Sequence, residues 1–376
     1  MLKTAEGLDR LAAGNLGLSQ EKVLEHAKTL NIKLSELECA QRVDRVRARP
    51  VAIELPVAGK CNIRCTMCSL SKGSPQKPNW TLAQVQRFEP YFLFAASVNP
   101  TGVGEPLLNR DFPEMLRVFG EKALQVGFYT NATLLDEAKA DLLIRSHVGM
   151  VNISIDGATK ETFEAIRHHA KFEVVVGNTR ALIRRREALK AKLPRVRIAM
   201  VLTPANIHEL PDLVSLAKDL GADCVYAAFV TDEKPEDLPQ SQPVRTNEFL
   251  AKARKVAAAR NIELWAPDPL PEPGNGDTPP PVTRADSLAC LRCPLPWQQM
   301  VVWTDGMVTP CCHIHDGAHG EPFARFTGTE DPAALWNSAG MIRLRRSFRE
   351  RRPPKECLRC PLMNSTIEKG SQSVSR

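Results

Sequence analysis

Six short apolar runs, VAIELPV (51–57), FAASVNP (94–100), LQVGFYT (124–130), MVNISI (150–155), VRIAMVL (196–202) and CVYAAFV (224–230), alternate along the chain with stretches of helical pattern. The helical stretches include TLAQVQRFEPYF, DFPEMLRVFGEKA, LDEAKADLLIRS, KETFEAIRHHA with a long continuation, and NIHELPDLVSLAKDLG. Runs this short read as buried strands. Parallel strands need crossover helices between them, so the alternation predicts an α/β fold whose parallel sheet curls into a barrel or partial barrel. Ligands of such sheets sit at the C-terminal ends of the strands.

Four regions follow from the pattern. Residues 1–50 read as an amphipathic helical segment that packs or caps, with Leu18, Val23, Leu24, Ala27 and Leu30 on roughly one face. Residues 51–266 form the strand and helix alternation. Residues 267–285 open with PDPLPEPGNGDTPPPVT and read as a linker, because Pro and Gly at this density punctuate regular structure. Residues 286–376 form a second module, and no internal repeat is present.

Cys61, Cys65 and Cys68 lie in GKCNIRCTMCSL, a C-x3-C-x2-C array directly after the first strand and therefore at the ligand-binding end. The second module holds Cys290, Cys293, Cys311, Cys312, Cys357 and Cys360, while Cys39 and Cys224 stand alone. Eleven cysteines, an odd number with nine of them in tight groups, do not make a disulfide framework and point to metal. The N-terminus lacks an apolar signal core, and no apolar run approaches a membrane span, so a cytoplasmic location is expected. The net charge of +7 gathers at Arg184–Arg186 and between Arg343 and Arg352. These runs read as solvated faces or as a docking surface for an anionic substrate or acidic redox partner. Aromatic residues are not interleaved with them, which argues against nucleic-acid binding.

A structural zinc site is closed by four ligands, whereas three thiolates leave one iron of an iron–sulfur cube open to a further ligand. A C-x3-C-x2-C array after the first strand of a βα barrel resembles the radical S-adenosylmethionine (SAM) superfamily. The resemblance implies a partial (β/α)6 barrel. It also implies that Cys61, Cys65 and Cys68 hold a [4Fe–4S] cluster whose open iron chelates SAM and cleaves it reductively to a 5′-deoxyadenosyl radical, which abstracts hydrogen from a substrate carbon. Gly102-Val103-Gly104-Glu105-Pro106 resembles the family's Gly-Gly-Glu segment, with Val103 replacing a glycine. Thr130-Asn131-Ala132 resembles a Thr-Asn-Gly turn, and Ser154-x-Asp156-Gly157 with Arg167 resembles a Ser-x-Asp-Gly…Arg pattern. By that resemblance Gly102, Gly104, Glu105, Asn131, Ser154, Asp156 and Arg167 contact SAM.

The second module resembles the SPASM and shorter twitch extensions of this superfamily. That likeness implies one auxiliary [4Fe–4S] cluster on Cys293, Cys311, Cys357 and Cys360, with Cys290 and Cys312 as alternates or free thiols; a zinc ribbon is the competing reading of the CxxC pairs. His313, His315 and His319 crowd the same loop and read as polar loop residues, or as ligands or proton carriers. Neighbours in an extended segment face opposite ways, so a ligating Cys311 leaves Cys312 free as a candidate hydrogen-atom donor, with Cys224 as its rival.

Relatives of this layout modify ribosomally made peptides, or epimerise or oxidise sugars and aminocyclitols. The short N-terminal segment leaves little room for a leader-binding domain, so the expectation is an oxidoreductase or epimerase acting on a carbohydrate-like small molecule. A peptide or protein maturase is the alternative, and a non-catalytic iron–sulfur or zinc-ribbon protein a more distant one. A flavodoxin- or ferredoxin-type reductant is the expected redox partner.

Overall fold

The computed structural model describes residues 19–231, 234, 238–271, 293–311, 323–358 and 360. All six expected strands are present: β1 (Ala52–Leu55), β2 (Ser97–Pro100), β3 (Gln125–Thr130), β4 (Met150–Ser154), β5 (Arg195–Leu202) and β6 (Cys224–Phe229). They pair in sequence order, and every pairing is parallel. The crossovers run through α2 (Phe112–Glu121), α3 (Glu137–Arg145), α4 (Lys160–Ile166) with α5 (Phe172–Ala188), and α6 (Leu210–Leu220). A seventh parallel strand, β7 (Glu263–Trp265), follows α7 (Pro243–Arg260).

The two faces of the sheet differ. Ile53, Val98, Phe128, Val151, Ile153, Val196 and Ile198 are fully buried among the helices. The alternate positions carry Glu54, Asn99, Tyr129, Asn152, Arg197 and Tyr226, so the inner face of the curl is polar and the strands are not apolar on both sides. That polarity is where a bound substrate would find partners.

The helical stretch beginning at Lys160 is broken rather than continuous. Arg167–His168 pairs antiparallel with Arg64–Cys65, and His169 takes a left-handed φ of 72° between α4 and α5. The break draws Arg167 against the cysteine loop. The stretch 81–92 is likewise two turns, Leu82–Gln86 and Glu89–Phe92.

The C-terminal module continues the same sheet. β8 (Gln299–Val302) lies parallel beside β1, and β9 (Met307–Thr309) and β10 (Ala324–Arg325) extend it antiparallel. The expected N-terminal packing segment is α1 (Gln20–Ala40), whose Leu24 and Ala27 are buried. Ser35 Oγ donates to Trp297 O (3.0 Å), Trp297 Nε1 to Val43 O (2.9 Å), and Asn31 Nδ2 to Arg49 O (3.0 Å). These bonds tie α1 and the segment after it to the module, and Asn31 Nδ2 also donates to Phe94 O (3.2 Å) beside the barrel.

The arginine runs are not simply solvated faces. In α8 (Ala339–Arg349), Arg345 is fully buried over the Trp336 ring and donates to Pro296 O (2.7 Å) and Trp336 O (3.0 Å). Arg186 is buried and bonded to Asp223 (2.6 Å), while Arg185 pairs with Asp141 (2.6 Å). No helix among the described residues is long and apolar enough to cross a membrane. Leu18 and residues 272–285 of the expected linker lie outside the described residues.

Candidate functional site

Four loops converge at the C-terminal ends of β1 to β4. The cysteine loop leaves β1 through Val57 and Ala58, and its backbone meets the loop after β2. Ala58 N donates to Thr101 O (3.1 Å), Gly104 N to Ala58 O (2.9 Å) and Glu105 N to Lys60 O (2.8 Å). A Cβ on Gly102 would lie 2.2 Å from Ala58 O, with φ at +120°, and one on Gly104 would lie 2.2 Å from Lys60 O. Glycine is required at both positions to let the loops touch, independently of any ligand.

Glu105 is almost fully buried. Its carboxylate accepts from Thr130 Oγ1 (2.7 Å), Asn131 N (2.7 Å) and Leu107 N (3.0 Å), so it staples the loop after β2 to the turn after β3. Burial pushes its carboxyl above the usual range despite these donors. The stapled Asn131 points Nδ2 at Asn62 Oδ1 (3.1 Å) and at Cys61 Sγ (3.8 Å). Ala132 stands where the family-like turn has glycine, and it holds a left-handed φ of 54°.

On the other side, Arg167 Nη1 lies 3.7 Å from Cys65 Sγ, and its Nη2 lies 2.7 Å from Asp156 Oδ2. That last contact is a close ion pair out of line for a hydrogen bond, since Oδ2 lacks a donor in line with it. Asp156 Oδ1 accepts from Val201 N (2.8 Å). Burial opposes the Arg167 charge, but Asp156 and Cys65 outweigh it and raise its affinity for the proton. Arg167 Nε and Asn152 Oδ1 are buried without partners. Ser154, the last residue of β4, is half-exposed two residues before Asp156.

Burial pushes the Cys65 thiol up to about 11 and also raises Cys61, and the nearby Cys68 thiol adds to both. Desolvated thiols gathered in one loop become thiolates only when a cation replaces their protons. Among the described residues no three side chains converge tightly enough for a single metal ion. Thiols that each bind a different iron of a cube need not converge so closely, and soft sulfur donors suit iron. The donor set and the orphaned polar atoms around it fit a cluster with a polar ligand above it.

The second cysteine group is built around β8 and β9. Burial pushes the Cys293 thiol up to about 12, and Cys311, Cys360 and Cys39 add to this. Cys39, at the end of α1, is therefore drawn to the group although its sequence position gave no sign of it. Between Cys293 and Cys311, Gly306 has φ +84° and Phe326 O sits 2.0 Å from where a Cβ would be. Cys357 is half-buried, and Cys360 N donates to Cys357 O (3.3 Å). Cys290, Cys312, His313, His315 and His319 lie outside the described residues. Cys224 is fully buried at the start of β6.

Comparison with known sequences agrees with this geometry. The Radical SAM superfamily profile matches residues 55–217, and the SPASM iron-sulfur cluster-binding domain matches residues 293–361. The chain belongs to the radical SAM superfamily and carries a SPASM-type domain. These two domains imply [4Fe–4S] clusters and bound SAM as cofactors. Among curated proteins, this radical SAM chain is 27% identical over 186 residues to mycofactocin maturase MftC of Mycobacterium tuberculosis, covering 48% of this chain and 45% of that one. It is 30% identical over 182 residues to GTP 3′,8-cyclase of Synechocystis, covering 47% and 53%. It thus spans about half the length of the curated relatives it matches. Streptococcus suis SuiB bound to its precursor peptide SuiA shares the fold, with a TM-score of 0.61 at 14% identity over 87% of this chain and 73% of that one. AdoMet-bound anSMEcpe does so at 0.56 and 17%, over 83% of each.

Proposed function

We propose that this protein is a radical SAM maturase that modifies a peptide or protein. The observation that carries the reading is the likeness to peptide-bound SuiB, which spans barrel and module together, alongside a relative named as a maturase. The sugar-directed reading rests on the short N-terminal segment, and the maturase likenesses support the peptide reading over it.

In this reading Cys61, Cys65 and Cys68 hold the SAM-binding cluster, and Cys293, Cys311, Cys357 and Cys360 hold one auxiliary cluster. A reduced [4Fe–4S] cluster with SAM supplies one-electron cleavage and a radical able to take hydrogen from an unactivated carbon. The chain's own residues prepare the place. Asn131 and Arg167 direct N–H groups at the Cys61 and Cys65 sulfurs, which favours thiolate and tunes the site as outer hydrogen bonds do. Glu105 and Asp156 hold those two donors in place. Ser154, Asn152 and the free edge of Arg167 offer polar contacts to SAM. The helices and buried loop residues Val57, Ala58 and Leu107 exclude water from one side. A flavodoxin- or ferredoxin-type protein would deliver the electron.

The test is anaerobic reconstitution followed by incubation with SAM, dithionite and panels of peptides and sugars. A peptide that stimulates 5′-deoxyadenosine formation and changes mass supports the reading. Stimulation by a sugar with none by any peptide would overturn it.

A further inference from the structure

We propose that Arg197, on the inner face of the barrel, receives a carboxylate of the substrate. This rests on the reading that the substrate enters the barrel beside the SAM site.

Arg197 lies on β5 in register with Asn152 of β4 and Cys224 of β6. Neighbours in register share a face, so Arg197 stands one strand from the orphaned Asn152 Oδ1. Ser154 is two residues further along that face of β4, roughly 7 Å nearer the strand end. A group held by Arg197 is thus within reach of the carbon chemistry at the cysteine site without touching the cysteines.

Its surroundings are prepared for an anion that the chain does not supply. The guanidinium stacks on the Trp265 ring at 4.3 Å and approaches the Tyr226 ring at 5.7 Å. The Tyr129 hydroxyl and the Cys224 thiol lie close enough for its charge to act on both. Nε is buried with no partner, and no ion pair reaches Arg197 among the described residues. The nearby Glu54 carboxylate instead accepts from Gln299 Nε2 at 2.8 Å. A half-buried cation facing π surfaces without a counter-ion is costly to hold. It is also preorganised: Glu263 accepts from Trp265 Nε1 at 2.6 Å, which fixes the ring on which the guanidinium lies.

The anion is a carboxylate rather than a phosphate. A planar carboxylate meets Nε–H and a neighbouring N–H side by side. The next arginine on that face, Arg195, is exposed and pairs with Glu263 at 3.4 Å, so β5 offers no second unpaired arginine beside Arg197 for a dianion. In a peptide the carboxylate belongs to an acidic side chain or to the C-terminus.

The test uses the cluster-reconstituted full chain with SAM and isothermal calorimetry. The probes are N-acetylglutamic acid α-amide for a side-chain carboxylate, N-acetylglycine for a terminal one, the uncharged amide of each, and inorganic phosphate. At least one carboxylate should bind about tenfold or more tighter than its amide, as a charged hydrogen-bonded pair predicts, and the stronger of the two names the source. Arg197→Gln should reduce that probe to the level of its amide, and Arg197→Lys should fall between; iron content and melting temperature report whether each variant is folded. Carboxylates and amides indistinguishable in the wild-type chain, a folded Arg197→Gln that binds like wild type, or phosphate binding tighter than both carboxylates would each overturn the proposal. The assay needs no turnover: Arg197-dependent binding with no peptide ever modified would sink the maturase reading and leave this one standing.

Discussion

Replacing Glu105 with alanine asks whether the site is held by the staple between the loops after β2 and β3. The change removes a buried carboxylate and strands three donors, Thr130 Oγ1, Asn131 N and Leu107 N, in a region with almost no water. Hydrogen bonds to a charged acceptor are each worth about 1.5–3 kcal/mol, while the cost of burying the carboxylate, several kcal/mol, is recovered when it is removed. The net loss should be about 3–5 kcal/mol, the range for breaking a buried charged network. Glu105→Gln keeps shape and one good acceptor and should cost about 1–3 kcal/mol. Urea unfolding of the anaerobic protein measures both. Because Asn131 would no longer hold its amide towards Cys61 Sγ, the potential of the SAM-binding cluster should also move to more negative values, read by redox titration of its signal. A Glu105→Ala protein within about 1 kcal/mol of wild type would show that the three bonds do not hold the site.

Three further outcomes are expected. Gly306→Ala places a Cβ against Phe326 O in a left-handed backbone, so it should cost at least about 2 kcal/mol and lose auxiliary iron while the Cys61 site keeps its own, as iron analysis would show. Arg345→Met strands the buried carbonyls of Pro296 and Trp336 and should destabilise by about 3 kcal/mol, seen as an earlier unfolding midpoint. Burial lowers Lys28 to about 8 from 10.5, so the unfolded chain binds the extra proton between those values; the stability of wild type relative to Lys28→Met should therefore rise as pH climbs from 8 to 10.5 in denaturant melts.

Much of the barrel was legible because strand and helix periods are local properties. Each of the six strands shows as an apolar run, and the cysteine spacing marks the loop after the first. What was not legible depends on contacts between distant residues. β7 is only the three residues Glu263-Leu264-Trp265, too short to show a period, so only its pairing with Cys224, Val225 and Tyr226 makes a strand of it. β8 is apolar in sequence, but nothing local says that it extends the barrel sheet beside β1. The inner polar face is hidden in the sequence because Glu54, Tyr129 and Arg197 are single polar residues inside apolar runs. Gly102 and Gly104 read as room for a ligand, whereas the close partner that demands them is the backbone of the cysteine loop. Arg167 was recognised, yet its approach to Cys65 comes from a chain break at His169 that helical periodicity runs straight through.

The central claim is that Cys61, Cys65 and Cys68 hold a SAM-cleaving cluster separate from the one in the SPASM module. Iron content and 5′-deoxyadenosine yield of the anaerobically reconstituted wild type and of the triple Cys61→Ala, Cys65→Ala, Cys68→Ala variant test it together. The wild type should hold about eight irons per chain and the variant about four, and the variant should not cleave SAM. A variant that still forms 5′-deoxyadenosine under reducing conditions, or that keeps all of its iron, would contradict it.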